Sequence, residues 1–163
     1  MTAAAAALAL IPARGGSKGI PGKNLQEVEG VPLVGRSVQA ALASTRVSRV
    51  VVSTDDDAIA AAARSHGAEV VRRPEHLAGD TASSESALLH ALEQLSTAGP
   101  LPPRLVFLQC TSPFTSGEQI DQVLAALDAP AVNSSFAVAP WHGFLWRGDG
   151  SGINHDPQQP RQR

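Results

Sequence analysis

Ile11-Pro12-Ala13-Arg14-Gly15-Gly16-Ser17-Lys18-Gly19-Ile20-Pro21-Gly22-Lys23-Asn24 is the stretch that decides the fold of this sequence. It follows an apolar run, Ala7–Ile11, and contains four glycines, three cations and no acidic residue. Glycine lets backbone N–H groups turn toward a ligand, and cations offset the charge of an anion. Directly after a predicted strand, this composition is typical of a loop that binds a polyphosphate; a solvated basic loop is the alternative.

The spacing within this loop separates it from two common nucleotide-binding patterns. If Gly22-Lys23 is aligned with the P-loop pattern, Ser17 takes the place of the first glycine and Asn24 takes the place of the magnesium-binding Ser or Thr. The glycine spacing of the dinucleotide fingerprint is also absent. An ordinary P-loop NTPase, which would hydrolyse ATP or GTP, is therefore disfavoured.

Composition narrows the class of protein. The 163 residues are 43% hydrophobic and 17% charged, which suits one soluble domain, and the net charge of −2 gives no support to a nucleic-acid partner. A single cysteine, Cys110, excludes an internal disulfide and a multi-cysteine zinc site. The alanine-rich start, Met1–Leu10, lacks the basic region of a signal peptide and reads as a lead-in and first strand. Without a long apolar run, we expect a cytoplasmic protein with no membrane partner.

Apolar periodicity predicts an alternation of strands and helices. The predicted strands are Ala7–Ile11, Val50–Val52, Glu69–Val71, Leu105–Leu108 and Ser135–Val138. The continuous apolar runs Val50–Val52 and Leu105–Leu108 are expected to be buried. Helical spacing marks Val34–Leu42, Ile59–Ala63, Leu88–Leu95 and Ile120–Leu127, and Gly67 is expected to close the second helix. This order predicts an α/β fold, with a mostly parallel sheet covered by helices on both faces.

Ligands in such folds bind at the carboxyl ends of the strands. The loops expected there are 11–24, 53–57, 72–84 and 109–113, which are also polar, charged or glycine-bearing. The fold hypothesis and the site hypothesis therefore agree.

Several residues in these loops have two interpretations. Asp55-Asp56-Asp57 suits either a metal site or the acidic N-cap of the second helix. Arg72 and Arg73 could each contact phosphate or be solvated. Ser83 or Ser84 could cap the third helix, whose N-terminus would also favour an anion. The five histidines show no metal-ligand spacing.

Cys110 follows Gln109 in what we expect to be an exposed turn. No histidine or other base is placed beside it by the sequence, so a nucleophilic role is not favoured.

Five motifs in order resemble the N-acylneuraminate cytidylyltransferases, the CMP-sialic acid synthetases. They are Ile11–Asn24, Val51–Asp55, Arg73-Pro74, Asp80–Ser84 and Leu108–Pro113. The resemblance covers nearly the whole chain. It implies a nucleotide-diphospho-sugar transferase (Rossmann-like) fold and an enzyme that uses Mg²⁺ to join CTP to a nine-carbon acidic sugar such as N-acetylneuraminate, with release of pyrophosphate.

The resemblance also implies residue roles. Arg14 and Lys23 would be catalytic. CTP would contact Arg14, Gly15, Ser17, Lys18, Lys23, Asn24, Arg73 and Ser84. The sugar would contact Gln109, Thr111, Ser112, Arg161 and Gln162. The family's homodimer is the implied assembly, although it is doubtful for a chain of this length.

The sequence departs from the family pattern in two places. Phe114-Thr115-Ser116 stands where the family has an arginine. The resemblance divides the chain into a nucleotide-binding domain, 1–140, and the start of a sugar-binding and dimerisation segment, 141–163. The family's metal-binding aspartates are expected beyond residue 163, so we expect a fragment with weak or no activity and no metal ligands of its own, unless Asp55 or Asp56 substitutes.

Two other functions stay open at this point. One is a CTP- or nucleotide-sugar-binding module without catalysis. The other is the related 3-deoxy-manno-octulosonate cytidylyltransferase. The sequence does not identify the sugar among N-acetylneuraminate, its glycolyl form and the legionaminic- or pseudaminic-type acids.

Overall fold

The computed structural model describes residues 6–17, 19–79, 82–140 and 143–154. Its strands are β1 (Ala7–Pro12), β2 (Glu27–Val28), β3 (Val31–Pro32), β4 (Val47–Thr54), β5 (Glu69–Arg72) and β6 (Arg104–Phe107). Its α-helices are α1 (Leu33–Leu42), α2 (Asp57–Ser65), α3 (Ser84–Ser96) and α4 (Gly117–Ala126). Lys23–Leu25 and Glu75–Leu77 form short 3₁₀ helices. The predicted alternation of strands and helices is confirmed.

Strand β1 lies inside a four-stranded parallel sheet of order β5-β4-β1-β6. In this register Leu10 lies opposite Val51 on one side and Phe107 on the other. The chain passes from β1 outward to β4 and β5, then returns to place β6 on the other side of β1. This reversal makes the carboxyl end of β1 the switch point at which a doubly wound sheet opens a crevice for ligand.

Helices cover both faces of the sheet, as predicted. On one face, α1, α2 and α4 contribute Val34, Val38, Ile59, Ile120 and Leu124, which pack against alternate residues of β1 and β4 or of β1 and β6. On the other face, α3 contributes Ala91 and Leu95, which pack against Leu8, Leu10, Val51 and Val71. Because successive side chains of a strand point to opposite faces, the apolar run of β1 fills both layers.

Strand β6 differs from the prediction that it is buried. Leu105 is 40% exposed and Phe107 is 41% exposed. They pair in register with Leu8 and Leu10 and so share the face that α3 covers, but the cluster under α3 does not include them. Val106, on the opposite face, packs under α1 and α4. The strand is therefore half-covered in the described part of the chain.

The predicted strand at Ser135–Val138 is wrong. These residues form no strand, and Phe136 and Val138 are 82% and 78% exposed. The hydroxyl of Ser135 donates to the carbonyl of Val123 at 2.8 Å, which ties the segment to α4 rather than to a strand. β-propensity without a paired neighbour does not make a strand. The proposed division of the chain at residue 140 stays a prediction.

The helix boundaries follow capping chemistry. The Asp56 carboxylate accepts the N–H of Ile59 at 2.9 Å, and the Ser83 hydroxyl accepts the N–H of Ser86 at 3.1 Å. Gly67 follows α2 with φ of 96°, a left-handed conformation that favours glycine. The cap of α2 was one of two interpretations of the triplet Asp55–Asp57, and Ser83 was one of two candidate caps for α3; Asp56 and Ser83 are the caps, and the predicted role of Gly67 is confirmed. Within the described ranges, every helix is too short or too polar to cross a bilayer.

Glu29 and Gly30 form the tip of a small antiparallel hairpin between β2 and β3. Glu29 and Gly30 have φ of 55° and 75°, the pair of positive values that a two-residue type I′ hairpin needs. The hairpin leads directly into α1.

Helix α4 fixes the turn between α1 and β4 through Asp121. Its carboxylate accepts from the Ser44 hydroxyl, from the N–H and hydroxyl of Thr45 at 3.1 and 2.7 Å, and from the N–H of Arg46 at 3.2 Å. These donors, with the Ser44 hydroxyl as the largest contribution, lower the pKa of Asp121 to about 2. The sequence signals neither this contact nor its strength, because the partners are about seventy-five positions apart along the chain.

Gly117 lies where α4 contacts the chain at the end of α1, and a substitution there tests how close that contact is. A Cβ built there would lie 2.5 Å from the carbonyl carbon of Ala43 and 2.7 Å from the backbone N of Ser44. Backbone cannot move aside as a flexible side chain can, so we expect Gly117→Ala to destabilise the fold by about 1–3 kcal/mol. Urea denaturation followed by circular dichroism measures this. Gly148→Ala, where nothing lies within 4 Å of the added Cβ, is the control; equal stability of both variants contradicts the expected close contact.

Asp121 gives the fold a defined pH dependence. A folded pKa of about 2 lies below the ordinary value for Asp of roughly 3.9. The carboxylate's contribution is therefore complete above about pH 4 and is lost as pH falls through about 2. We expect Asp121→Asn to lower the melting temperature at pH 6, with the gap to wild type closing between pH 4 and 2. Glu93→Gln, at an exposed position on α3, controls for loss of one charge; a gap of constant size down to pH 2 contradicts the assignment.

Candidate functional site

A cleft of about 600 Å³ opens at the carboxyl ends of β1 and β6. The loops that line it follow β1, β5 and β6, and the N-terminus of α3 completes the wall. The lining residues are Pro12, Arg14, Ser17, Gly19, Ile20, Lys23, Asn24, Arg73, Ala82, Ser83, Ser84, Phe107, Gln109, Cys110 and Thr111. The cleft lies at the switch point of the sheet, where ligand binding was predicted.

The loop after β1 is held by backbone contacts with the end of β4. The N–H of Ala13 donates to the carbonyl of Ser53 at 2.9 Å, which extends the parallel ladder one residue beyond β1. The N–H of Gly15 donates to the Asp55 carboxylate at 3.1 Å. A Cβ at Gly15 would lie 2.8 Å from the Asp56 carboxylate, so glycine is needed there because of close approach.

The second half of the loop turns back through Gly22. Its φ of 61° is left-handed, and the 3₁₀ helix Lys23–Leu25 begins directly after it. Asn24 is 6% exposed and donates its side-chain N–H to the carbonyl of Arg14 at 2.9 Å. Asn24 therefore closes the loop on itself, a structural role that the resemblance did not indicate. Lys23 lines the cleft as a result of this turn.

Two arginines bring positive charge to the cleft from different directions. A guanidinium N–H of Arg14 donates to the carbonyl of Gly79 at 3.0 Å, which spans the cleft mouth. Arg73 is 8% exposed, and its guanidinium donates to the hydroxyl and the carbonyl of Ser53 at 3.2 and 2.7 Å. Burial lowers the pKa of Arg73, the nearby Asp55 carboxylate raises it, and Arg14 lowers it. An arginine stays protonated under these conditions, so Arg73 is a fixed, partly desolvated cation.

The structure separates the two arginines that the sequence left equivalent. Arg72 points away from the cleft and pairs with the exposed Asp57 carboxylate at 3.0 Å. Arg73 lines the cleft. The alternation of side chains along β5 and the residues after it accounts for the difference.

The N-terminus of α3 forms another wall of the cleft. Ser83 caps this 13-residue helix, and Ser83 and Ser84 both line the cleft. The first N–H groups of a helix carry partial positive charge and lack intrahelical acceptors. The wall therefore adds to the anion-attracting character that Arg14, Lys23 and Arg73 supply.

The turn after β6 forms a further wall of the cleft and contains Gln109, Cys110 and Thr111. Arg36 of α1 supports this turn from behind: its Nε donates to the carbonyl of Pro113 at 2.8 Å, and its guanidinium lies 5.5 Å from the centre of the Phe114 ring. The turn after β6 is thus anchored to α1 through Arg36.

The prediction that Cys110 lies in an exposed turn is wrong. Cys110 is 4% exposed and packs in the core with residues such as Ile11 and Val34. Burial raises the pKa of its thiol, and a hydrogen bond with Ser37 and the charge of Lys23 oppose that change. A thiol with a raised pKa is a poor nucleophile at neutral pH, so Cys110 forms part of the cleft floor.

Most of the predicted ligand-contacting residues come together. Those that line the cleft are Arg14, Ser17, Lys23, Asn24, Arg73, Ser84, Gln109 and Thr111. Gly15 belongs to the same loop. Ser112 lines a separate groove along β6 and α4. Lys18, Arg161 and Gln162 lie outside the described residues. The ligand-binding roles of all these predicted site residues stay predictions.

Sequence reasoning missed two features of the cleft. Phe107 lines it because β6 is uncovered on that face, and an alternating strand pattern gives no sign of which face is covered. Asp55 contacts the loop through the Gly15 N–H. An Asp directly after a buried strand at a predicted ligand edge is the signal that could have indicated it.

The acidic triplet does not form a metal centre by itself. Asp55 accepts from Gly15, Asp56 caps α2 and Asp57 pairs with Arg72. Across the ranges that the structure describes, no three His, Cys, Asp or Glu side chains come together as a metal-binding group. The helix-capping interpretation is confirmed for Asp56.

A family model supports the motif resemblance. The model described as cytidylyltransferase matches residues 8–143 of the chain. This range contains the four-stranded sheet except Ala7, the loop after β1 and all the described residues that line the cleft.

Curated relatives are named for two acidic sugars. The chain is 37% identical over 139 residues to the N-acylneuraminate cytidylyltransferase of Oncorhynchus mykiss, covering 85% of this chain and 31% of that protein. It is 40% identical over 136 residues to the 3-deoxy-manno-octulosonate cytidylyltransferase of Rhodopseudomonas palustris, covering 83% of this chain and 53% of that protein. The chain thus spans about a third to a half of the length of these relatives.

A solved structure shows the same fold. A CMP:2-keto-3-deoxy-manno-octonic acid synthetase, solved in complex with CTP, is 26% identical and superposes with a TM-score of 0.66, covering 78% of this chain and 49% of that one. The predicted fold class, a nucleotide-diphospho-sugar transferase fold, is confirmed.

Cys110 provides a direct test of the cleft floor. Because its thiol is buried with a raised pKa, we expect it to react with a thiol reagent such as DTNB at least about tenfold more slowly in the native protein than in urea. The single cysteine makes the signal unambiguous. Equal rates in the native and unfolded states contradict the burial of Cys110.

Proposed function

Because this chain belongs to the cytidylyltransferase family, we propose that its cleft binds CTP and that the protein transfers the cytidylyl group to an acidic sugar. The observation that carries the proposal is the convergence of Arg14, Lys23 and Arg73 with a glycine-rich loop and the start of α3 around one cleft. A triphosphate needs this combination of cations and N–H donors.

The reaction joins two anions. The anomeric hydroxyl oxygen of the sugar attacks the α-phosphorus of CTP, the bond from that phosphorus to the bridging oxygen breaks, and pyrophosphate leaves with the bond's electron pair. The hydroxyl proton passes to a base or to solvent. Cations must first overcome repulsion between the anionic sugar and the triphosphate, then stabilise the charge that moves onto pyrophosphate.

The geometry suggests that the cations contact different phosphates of the nucleotide. Arg73 is fixed by Ser53 and partly desolvated, which suits a constant contact with one phosphate. Arg14 reaches across the mouth to Gly79. In our proposal Arg14 and Lys23 take the phosphates nearest the reacting bond, and the α3 N-terminus near Ser84 takes another part of the nucleotide.

The sugar would approach from the turn after β6. Gln109 and Thr111 line the cleft and offer an amide and a hydroxyl. N-acetylneuraminate is the acceptor that we favour, and relatives named for N-acylneuraminate and for 3-deoxy-manno-octulosonate match at similar identity. A panel of acidic sugars, including legionaminic- and pseudaminic-type acids, would identify the preferred one.

The resemblance assigns Mg²⁺ to this reaction, where the ion would offset charge on the phosphates. The described carboxylates at the cleft do not form a group that would hold the ion alone. Activity with and without Mg²⁺ is the test of its participation.

A CTP-binding module without catalysis is the second candidate. It is favoured by the same observation, that the described residues contain no metal-binding group. Homodimeric assembly and a cytoplasmic location belong to the leading proposal; the single, buried, unpaired cysteine is compatible with a reducing compartment.

One assay separates the candidates. The protein is incubated with CTP, Mg²⁺ and N-acetylneuraminate, and pyrophosphate release is measured while CTP affinity is determined by calorimetry. Sugar-dependent release supports the transferase. CTP binding without release leaves the binding module, and no binding of CTP contradicts both.

Arg14 and Arg72 form a matched pair for a binding experiment. We expect Arg14→Ala to weaken CTP binding at least about tenfold, because a cation at the mouth of the cleft is lost. Arg72→Ala removes the same charge from an arginine that pairs with exposed Asp57, and should change affinity less than about twofold. Equal losses in both variants would mean that the effect is one of net charge and that Arg14 has no specific role.

A further inference from the structure

The hydrogen bond from the N–H of Gly15 to the carboxylate of Asp55 joins the loop after β1 to the end of β4, 40 positions apart in sequence. Gly15 lies in the middle of the loop after β1, and Asp55 directly follows β4. Since Ala13 already pairs with Ser53, the Gly15 contact is the next step of the same alignment, made by a side chain instead of a carbonyl.

Asp55 and Asp56 are adjacent but have different tasks. Asp56 uses one carboxylate oxygen to cap α2, and its other oxygen lies against Gly15. Asp55 bonds the loop itself. Asp57, the third member of the triplet, is 96% exposed at its side chain and pairs with Arg72 outside the cleft. Only the first of the three carboxylates both bonds the loop and lies near a cleft arginine.

The charge of Asp55 is unfavourable for the proposed ligand. It acts as a counter-charge for the guanidinium of Arg73, which lines the cleft that we assign to a triphosphate. A carboxylate at such a place repels phosphate and partly neutralises the cation that attracts it. Its hydrogen bond to the loop is the compensating contribution, because that bond sets the direction of the backbone from which Arg14 projects.

We propose that Asp55 is a positioning residue for nucleotide binding: as a hydrogen-bond acceptor for the Gly15 N–H, it fixes the phosphate-binding loop in its binding geometry. The acceptor oxygen carries this role and the negative charge does not. This inference rests on the proposed function, since the loop is taken to be the phosphate site.

The proposal makes asparagine and alanine behave differently. Asp55→Asn keeps an oxygen that can accept from Gly15 and removes the charge that repels phosphate. We expect it to bind CTP as tightly as wild type or more tightly. Asp55→Ala removes the acceptor, and we expect it to bind CTP about tenfold more weakly, because a small displacement of positioning groups has large effects. A role that depends on the negative charge of Asp55 would not predict rescue by asparagine.

The experiment measures CTP affinity by calorimetry for both variants, with Asp57→Asn as the control. This control removes one negative charge two positions away, outside the cleft, and should match wild type within about twofold. The proposal is overturned if Asp55→Ala binds CTP as wild type does, or if Asp55→Asn is weakened as much as Asp55→Ala. If the alanine variant does not fold, the asparagine variant alone decides: weakened binding overturns the proposal and retained binding supports it.

A second readout separates this inference from the proposed function. In the ligand-free protein, the ¹H–¹⁵N resonance of Gly15 reports its hydrogen bond. It should move strongly in Asp55→Ala, weakly in Asp55→Asn and hardly at all in Asp57→Asn. If wild type binds no CTP while these shifts appear, the function proposal fails and the Asp55 contact stands. If CTP binds but the Gly15 resonance is the same in all variants, the contact fails.

Discussion

The pairing of β1 with a parallel strand on each side is the interaction on which the rest of the structure depends. Its five residues from Ala7 to Ile11 are at most 1% exposed, and they contribute side chains to both layers of the core. A strand enclosed in this way carries no polar side chains along its length. The first place where the chain can present polar groups is the carboxyl end, and the cleft lies there.

The same constraint explains why the cleft is built from pieces that are distant in sequence. The loop after β1 needs Ser53 and Asp55 from the end of β4 to hold its backbone, and Arg73 reaches Ser53 from the end of β5. Glycine is required at Gly15 because the Asp56 carboxylate comes so close. Positive charge is thereby concentrated in a protein whose net charge is −2, so local geometry and not composition gives the cleft its character.

Periodicity predicted the helices and the main strands because each buries a continuous apolar stripe. It failed where burial depends on a distant partner. Ser135–Val138 has the composition of a strand but no neighbour to pair with, and Cys110 was placed in an exposed turn although α1 covers it. Motif order predicted most of the residues around the cleft. The position of Asp55 after a buried strand could have indicated a role at the ligand edge, but its partner Gly15 could not be predicted, because that contact depends on the register of two parallel strands.

The position of β6 beside β1 has a consequence for the order of folding. Parallel neighbours cannot be joined by a tight turn. Three α-helices and two other strands of the same sheet are therefore synthesised between β1 and β6. During synthesis β4 is complete before Arg104–Phe107 appears, so the other edge of β1 has no strand to pair with until then. The cleft, whose last wall follows β6, is therefore completed late, because it depends on contacts between residues far apart in the sequence.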